Sequence, residues 1–345
     1  STDEDFLKHC KNPQINNTVQ NLQLTQPEQI KKNGYPAESH QVITEDGYFL
    51  TMHRIPSSPK FPTNKKKPVV FLQHWFGGSS ADWVFFGPEK SLGYLLADAG
   101  YDVWLGNNRG NTYSRLWISH NGRSTCFGNY SFHEMGVYDL PVVIDYILNK
   151  TREPNLYYVG ISMGTTMFFI FASERPEYNR KIRLMIALAP MVFVDKMQQN
   201  IESALINVRT TYIMFAYSYS YSYSYSYSYS GFHQYDYGEK VNMVKYNQRL
   251  PPQYNLKAVT SKVVLVYATN DRLSKVQNVQ QLNKVLPNPV EMYQVPHPSF
   301  NHVDYIIGKD YLSALYLPDK DNIQRTGRRS MSSDAQKTSF VPLTA

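Results

Sequence analysis

The chain has 345 residues, with 35 Lys and Arg against 28 Asp and Glu, a formal net charge of +7 at pH 7. At 42% hydrophobic and 18% charged it is no disordered polymer, and a chain this long can bury a sizeable core and a concave site. No run of about 18 apolar residues occurs, which excludes a membrane-spanning helix, and two cysteines, Cys10 and Cys126, exclude a disulfide scaffold and a four-cysteine zinc site.

Residues 1–33 read as a polar, irregular N-terminal extension. Gln41-Val42-Ile43-Thr44 and Tyr48-Phe49-Leu50-Thr51-Met52 flank Glu45-Asp46-Gly47, and two β-rich runs around Asp-Gly predict a hairpin. The Lys65-Lys66-Lys67 run that follows reads as a solvated loop. Val69 to His74 is a continuous apolar strand entering a turn with Gly77-Gly78. Residues 89–100 read as a helix closed by Gly100, and Tyr101 to Leu105 as the next strand. Met135, Leu140, Val143, Ile147 and Leu148 carry helical spacing through 133–150. Leu156 to Val159 is a further apolar strand, with a helix over Thr165 to Ser173, and Leu184 to Leu188 and Val263 to Tyr267 are two more buried strands. Strands alternating with helices predict an α/β fold around a mostly parallel sheet covered on both faces. Its core is assigned to 34–190 and 259–318, with 319–345 a disordered tail.

The alternation breaks over 191–258, which leaves room for an insertion. Within it stand seven consecutive Tyr-Ser pairs, residues 217–230. Period two matches a strand with one tyrosine face and one serine face, but a monotonous repeat fixes no register. It reads as a low-complexity segment, or as an aromatic surface touching lipid or protein. The basic tail residues Arg325, Arg328 and Arg329 lack the interleaved aromatics of a nucleic-acid groove, so no nucleic-acid partner is expected. Residues 1–6 contain no secretory leader, yet three N-x-[ST] sequons occur, at Asn16, Asn129 and Asn149. Together they predict a secreted or lysosomal protein whose leader has been removed.

The chemistry lies in Gly160-Ile161-Ser162-Met163-Gly164, a G-x-S-x-G between an apolar strand and a helical run. Such a tight turn exposes the serine oxygen, and its glycines remove Cβ atoms where backbones approach. The Met163 N–H falls at a helix N-terminus, where donors are free and the dipole favours negative charge. Ser162 needs a base, and the base needs a carboxylate. In the chain order Ser, acid, His that accompanies this motif, the histidines available are His233, His297 and His302. His302 is preferred, with Asp271, just beyond the strand 263–267, as the acid. Met163 N–H and Phe76 N–H, in His74-Trp75-Phe76-Gly77-Gly78, are assigned as the two oxyanion donors. No metal or cofactor is expected: His133-Glu134 lacks the second histidine of a zinc-binding H-E-x-x-H and reads as structural.

Several longer blocks carry a resemblance. Gly34-Tyr35-Pro36-Ala37-Glu38, Val42 to Tyr48, Gly87 to Leu92, Asp98 to Gly110, Tyr138-Asp139-Leu140-Pro141, Ala187-Leu188-Ala189-Pro190, Tyr235-Asp236-Tyr237-Gly238 and Asn301-His302-Val303-Asp304 resemble the acid lipase family of α/β-hydrolases. The resemblance runs from about 30 to 315. It implies the α/β-hydrolase fold, a mostly parallel central sheet flanked by helices, here with a shortened cap insertion. It also implies hydrolysis of lipid esters, triacylglycerol or sterol ester, with transient contact to a lipid surface. It supports Ser162, Asp271 and His302 as the triad, and Phe76 and Met163 as oxyanion positions. Ile161 and Met163 stand where the family usually has His and Gln, and Trp75 where it usually has Gly. The tryptophan is expected to shift the loop that carries the second donor, which would leave a catalytically weak or inactive lipid-binding relative as the alternative.

Overall fold

The computed structural model of the protein describes residues 26–60, 66–118, 124–125, 130–193 and 231–308. Cys10, Cys126, Asn16, Asn129, the Tyr-Ser pairs and the tail lie outside them. The hairpin forms as the sequence implies: β1 (Glu38–Ile43) pairs antiparallel with β2 (Phe49–Ile55), from Glu38 opposite Arg54 to Ile43 opposite Phe49. Gly47 takes φ +90° in the turn, a conformation that costs glycine little. The Thr44 hydroxyl accepts the Tyr48 N–H at 2.8 Å and closes it.

Six more strands join this sheet: β3 (Val69–Gln73), β4 (Asp102–Leu105), β5 (Leu156–Ile161), β6 (Ile182–Leu188), β7 (Val263–Tyr267) and β8 (Pro289–Gln294). Between and after them run α1 (Leu92–Asp98), α2 (Leu140–Thr151), α3 (Met163–Glu174), α4 (Glu239–Tyr246) and α5 (Val276–Val285). The eight strands make one sheet in the order β1-β2-β4-β3-β5-β6-β7-β8. β2 is antiparallel to both neighbours, and every pair from β4 onward is parallel. β3 and β5 are buried at every residue, which is why they read as unbroken apolar runs. Alternate residues feed two cores: Phe71 and Tyr158 pack with Phe168 on one face, and Leu72 and Val159 with Leu96 and Leu105 on the other.

Three expectations are corrected. Residues 26–32 are helical, not irregular, and Ile30 is fully buried against Tyr94 and its neighbours. The helix expected over 133–150 is three pieces: a short turn Phe132–Glu134, a π-helical turn Met135–Asp139, and then α2. Pro141 has no N–H to give the Val137 carbonyl, which accepts from Arg175 Nη1 instead, at 3.3 Å. The helix expected at 89–100 is also shorter, beginning after Ser91.

The π-helical turn carries Asp139 to Arg109, which is wholly buried in the loop after β4. Arg109 donates to Asp139 Oδ1 from Nε (2.8 Å) and Nη2 (2.6 Å), and to Asp46 in the hairpin turn from Nη1 (2.5 Å) and Nη2 (2.9 Å). Its guanidinium lies 4.1 Å from the Tyr48 ring centroid. Burial raises the Asp139 carboxyl above its ordinary range in spite of this partner, so the cation is what keeps a buried anion tolerable. Arg109→Met should therefore cost about 3–5 kcal/mol, because it strands Asp139 without a counter-ion. Urea unfolding of the two proteins measures this, and an unchanged midpoint would refute it.

Candidate active site

One residue, Ser162, separates the end of β5 from the start of α3, so the chain must reverse within a single peptide step. Ser162 does so at φ +50°, ψ −114°, a sparsely populated conformation that costs about 1–3 kcal/mol for a residue with a Cβ. The surroundings hold it there. Ser162 N–H donates to the Leu188 carbonyl of β6 at 3.0 Å, and the Ser162 carbonyl accepts from the Thr165 N–H (2.9 Å) and hydroxyl (2.6 Å). The flanking glycines are steric requirements. A Cβ on Gly160 would meet the Gly164 backbone at 2.8 Å, and one on Gly164 would meet the Gln73 carbonyl oxygen of β3 at 2.5 Å. The helix can thus begin against two strands at once, with the Met163 N–H in its first turn.

Three residues brought from different loops meet here. His302 Nε2 lies 2.8 Å from Ser162 Oγ, and His302 Nδ1 lies 2.8 Å from Asp271 Oδ2. All three are buried. Asp271 follows β7, and its other oxygen accepts the Leu273 and Ser274 N–H groups at 2.8 and 2.9 Å. The Ser274 hydroxyl donates to the Pro190 carbonyl, which ties the acid loop to the loop after β6. α5 and β8 fill the interval between Asp271 and His302. His302 sits on a turn in which Asn301 N–H donates to Asp304 Oδ2 (2.7 Å) and Val303 N–H to Asn301 Oδ1 (2.9 Å). The other two histidines do not join: His233 lies in an isolated bridge with Gln253, and His297 is exposed before Phe300. Sequence reading missed Ser274, whose three-residue spacing from Asp271 is the signature of a carboxylate-capped turn.

It also missed His74, between β3 and Phe76. His74 Nε2 faces two donors, the Asn108 N–H at 3.4 Å and the Asn111 side-chain amide at 3.3 Å, so Nδ1 carries the proton and donates to the Trp75 carbonyl at 2.6 Å. Burial pushes its pKa down to about 4, against the upward pull of that carbonyl. His53 is buried nearby with Nδ1 2.8 Å from Ser80 Oγ, and burial lowers it to about 4 as well. Among the described residues no group of three His, Cys, Asp or Glu is placed to hold a metal, and no helix is long and apolar enough to cross a membrane. Asn149 is exposed in the last turn of α2.

A mostly parallel eight-stranded sheet, with the serine at a strand-to-helix reversal and the acid and histidine on later loops at the carboxyl edge, defines an α/β-hydrolase. A family model described as a partial alpha/beta-hydrolase lipase region matches residues 26–87, and one for the alpha/beta hydrolase fold matches 68–213. Lipase 3 of Drosophila melanogaster is 34% identical, over 84% of this chain and 90% of its own length. Gastric triacylglycerol lipase of Bos taurus is 33% identical over 90% and 91%, and lysosomal acid lipase/cholesteryl ester hydrolase of Macaca fascicularis 32% identical over 88% and 90%. A solved esterase of Pyrococcus furiosus shares the fold at a TM-score of 0.53 and 17% identity, covering 80% of this chain and 86% of that one. The chain belongs to the acid lipase family of α/β-hydrolases, and is a serine ester hydrolase.

The two depressed histidines make stability fall with acid. Below pH 6.5 the unfolded chain takes up protons at both, while the native state refuses them until about pH 4, so their contribution is complete above 6.5 and is lost toward 4, by up to about 3 kcal/mol each. Asp82, which burial raises to about 6, has the opposite sign: it binds its proton first in the native state and offsets about one of the two between pH 6 and 4. Urea unfolding across this range reads the net slope, to which the raised carboxyls of Asp102, Asp139 and Glu174 add with the sign of Asp82. Asp82→Asn should steepen the decline by up to one proton, about 1.4 kcal/mol per pH unit; a variant with the wild-type slope would contradict the assignment.

Proposed function

We propose that the protein is a lipase that cleaves lipid esters, triacylglycerol or sterol ester, through an acyl-enzyme on Ser162. The observation that carries this is the hydrogen-bonded series Ser162 Oγ, His302, Asp271. His302 Nε2 takes the hydroxyl proton as the oxygen attacks the ester carbonyl, and Asp271 fixes the tautomer through Nδ1–H and stabilises the imidazolium. The Met163 and Phe76 N–H groups receive the charge on the tetrahedral oxygen. The imidazolium returns its proton to the departing alcohol. Water, deprotonated by the same nitrogen, then releases the fatty acid and regenerates the serine.

The named activities of the relatives, triacylglycerol lipase and cholesteryl ester hydrolase, support the substrate class. Contact with a lipid surface is supported by Phe85 and Phe86, 66% and 36% exposed, whose rings meet edge to face in the loop between β3 and α1. A secreted or lysosomal site of action accords with the gastric and lysosomal names of these relatives, and in such a compartment the sequons at Asn16, Asn129 and Asn149 are the positions open to glycans.

Hydrolysis of p-nitrophenyl esters across acyl lengths tests the reading. Ser162→Ala should abolish turnover, and Asp271→Asn should lower kcat by about 10⁴ with the fold intact. A folded wild-type protein with no more activity than Ser162→Ala would overturn the proposal.

A further inference from the structure

Trp75 lies between His74 and Phe76, where the family's glycine would leave the loop bare. Its side chain turns back along the loop. The indole Nε1–H donates to Asp82 Oδ2 at 2.9 Å, and the same oxygen accepts the Ser79 N–H at 3.1 Å. Asp82 is itself fixed in the 3-10 turn Ser80–Trp83, its N–H donating to the Ser79 carbonyl at 3.1 Å. The indole covers Gly78, where any Cβ would overlap the ring. The main chain of Trp75 is held separately: its carbonyl accepts from His74 Nδ1 at 2.6 Å and from the Gly78 N–H at 3.2 Å. Residue 75 is thus anchored through both its side chain and its carbonyl.

This matters for the next amide. In a trans peptide the carbonyl and the following N–H point in opposite directions. With the Trp75 carbonyl aimed at His74 and Gly78, the Phe76 N–H is aimed the other way. The loop leaves the sheet beside the nucleophile, since the Gln73 and His74 carbonyls pack against Gly164 in the first turn of α3.

We infer that Trp75 and Asp82 are a positioning pair for the oxyanion hole: their hydrogen bond holds the loop so that the Phe76 N–H keeps the orientation in which it receives the developing charge. The inference rests on the serine-hydrolase reading above and adds to it a device that relatives with glycine at this position would lack. Neither side chain touches the substrate's reacting atoms in this scheme. Losing an oxyanion donor outright costs about 10²–10³ in kcat, so loosening one should cost about 10–10².

The test uses the full chain, a soluble p-nitrophenyl ester, and burst-phase kinetics to isolate acylation. Trp75→Phe keeps the ring and removes the N–H; Asp82→Ala removes the acceptor; Asp82→Asn keeps an acceptor oxygen. Trp75→Phe and Asp82→Ala should each slow acylation and kcat about 10–10²-fold with KM within about twofold, because the donor acts on the tetrahedral oxygen rather than on the bound ester. Asp82→Asn should recover most of that loss, and the double variant Trp75→Phe/Asp82→Ala should be no slower than the slower single one. A Trp75→Phe enzyme that acylates at the wild-type rate overturns the inference, as do losses that multiply in the double variant. Circular dichroism and thermal melts separate loss of fold from loss of rate, and if Asp82→Ala does not fold, Trp75→Phe with Asp82→Asn decides the matter. Wild-type activity equal to that of Ser162→Ala would instead sink the hydrolase reading itself and this inference with it.

Discussion

The structure turns on the packing of one helix end against two strands. α3 begins one residue after β5, and its first turn rests on the β3 carbonyls with no room for a Cβ at Gly160 or Gly164. Everything assigned to the site depends on that contact. It forces Ser162 into its positive-φ conformation and puts the Met163 N–H at a helix N-terminus beside it. It also brings the loop leaving β3, with His74 and Phe76, next to the same point. The strain at Ser162 persists because its N–H is committed to Leu188 and its carbonyl to Thr165.

Around this contact the parallel sheet works as a delivery system. Strands buried on both faces are stiff and closely registered, so the loops at their carboxyl ends start from fixed positions. Asp271 uses one oxygen to cap its own turn and the other to hold His302, and Ser274 links that turn to Pro190. Arg109 does a comparable job between the hairpin, the loop after β4 and the π-helical turn, but there the components are ions rather than backbone groups. Its cost is a buried carboxylate, Asp139, that tolerates no loss of its partner.

What could be read from the residues follows the same physics. β3, β5, β6 and β7 were legible because strands covered on both sides must be apolar over most of their length, the exposed Arg183 near the start of β6 being outside the run that was read. β8, at the sheet edge and only half-buried, has Pro289 and Glu291 in its run and gave no comparable signal. Helix 26–32 was hidden by polar composition, with Ile30 its only fully buried apolar residue. The apolar spacing of 133–150 ran smoothly across the π-helical turn, since one wide turn barely alters which residues face inward; Pro141 was the better signal. Ser162 and Asp271 stood out by context, and His302 by chain order. The roles of His74 and Asp82 were not legible, because their partners are a neighbouring carbonyl and an indole seven residues away, pairings that no spacing rule announces.

Among the described residues, the segment from Gly231 back to β7 is tied down by its own hydrogen bonds and by the core. The returning segment closes on itself, with Gln234 N–H on the Pro252 carbonyl and Tyr254 N–H on the Phe232 carbonyl. Asn179 then locks it to the core: its amide donates to the Ala172 and Ala258 carbonyls, and its oxygen accepts the Ser261 N–H and hydroxyl. Ser261 stands two residues before β7, so these bonds set the register of the strand that carries Asp271. The hydrogen bonds that place Ser162, His302 and Asp271 thus come from the strands and from the loops at their ends.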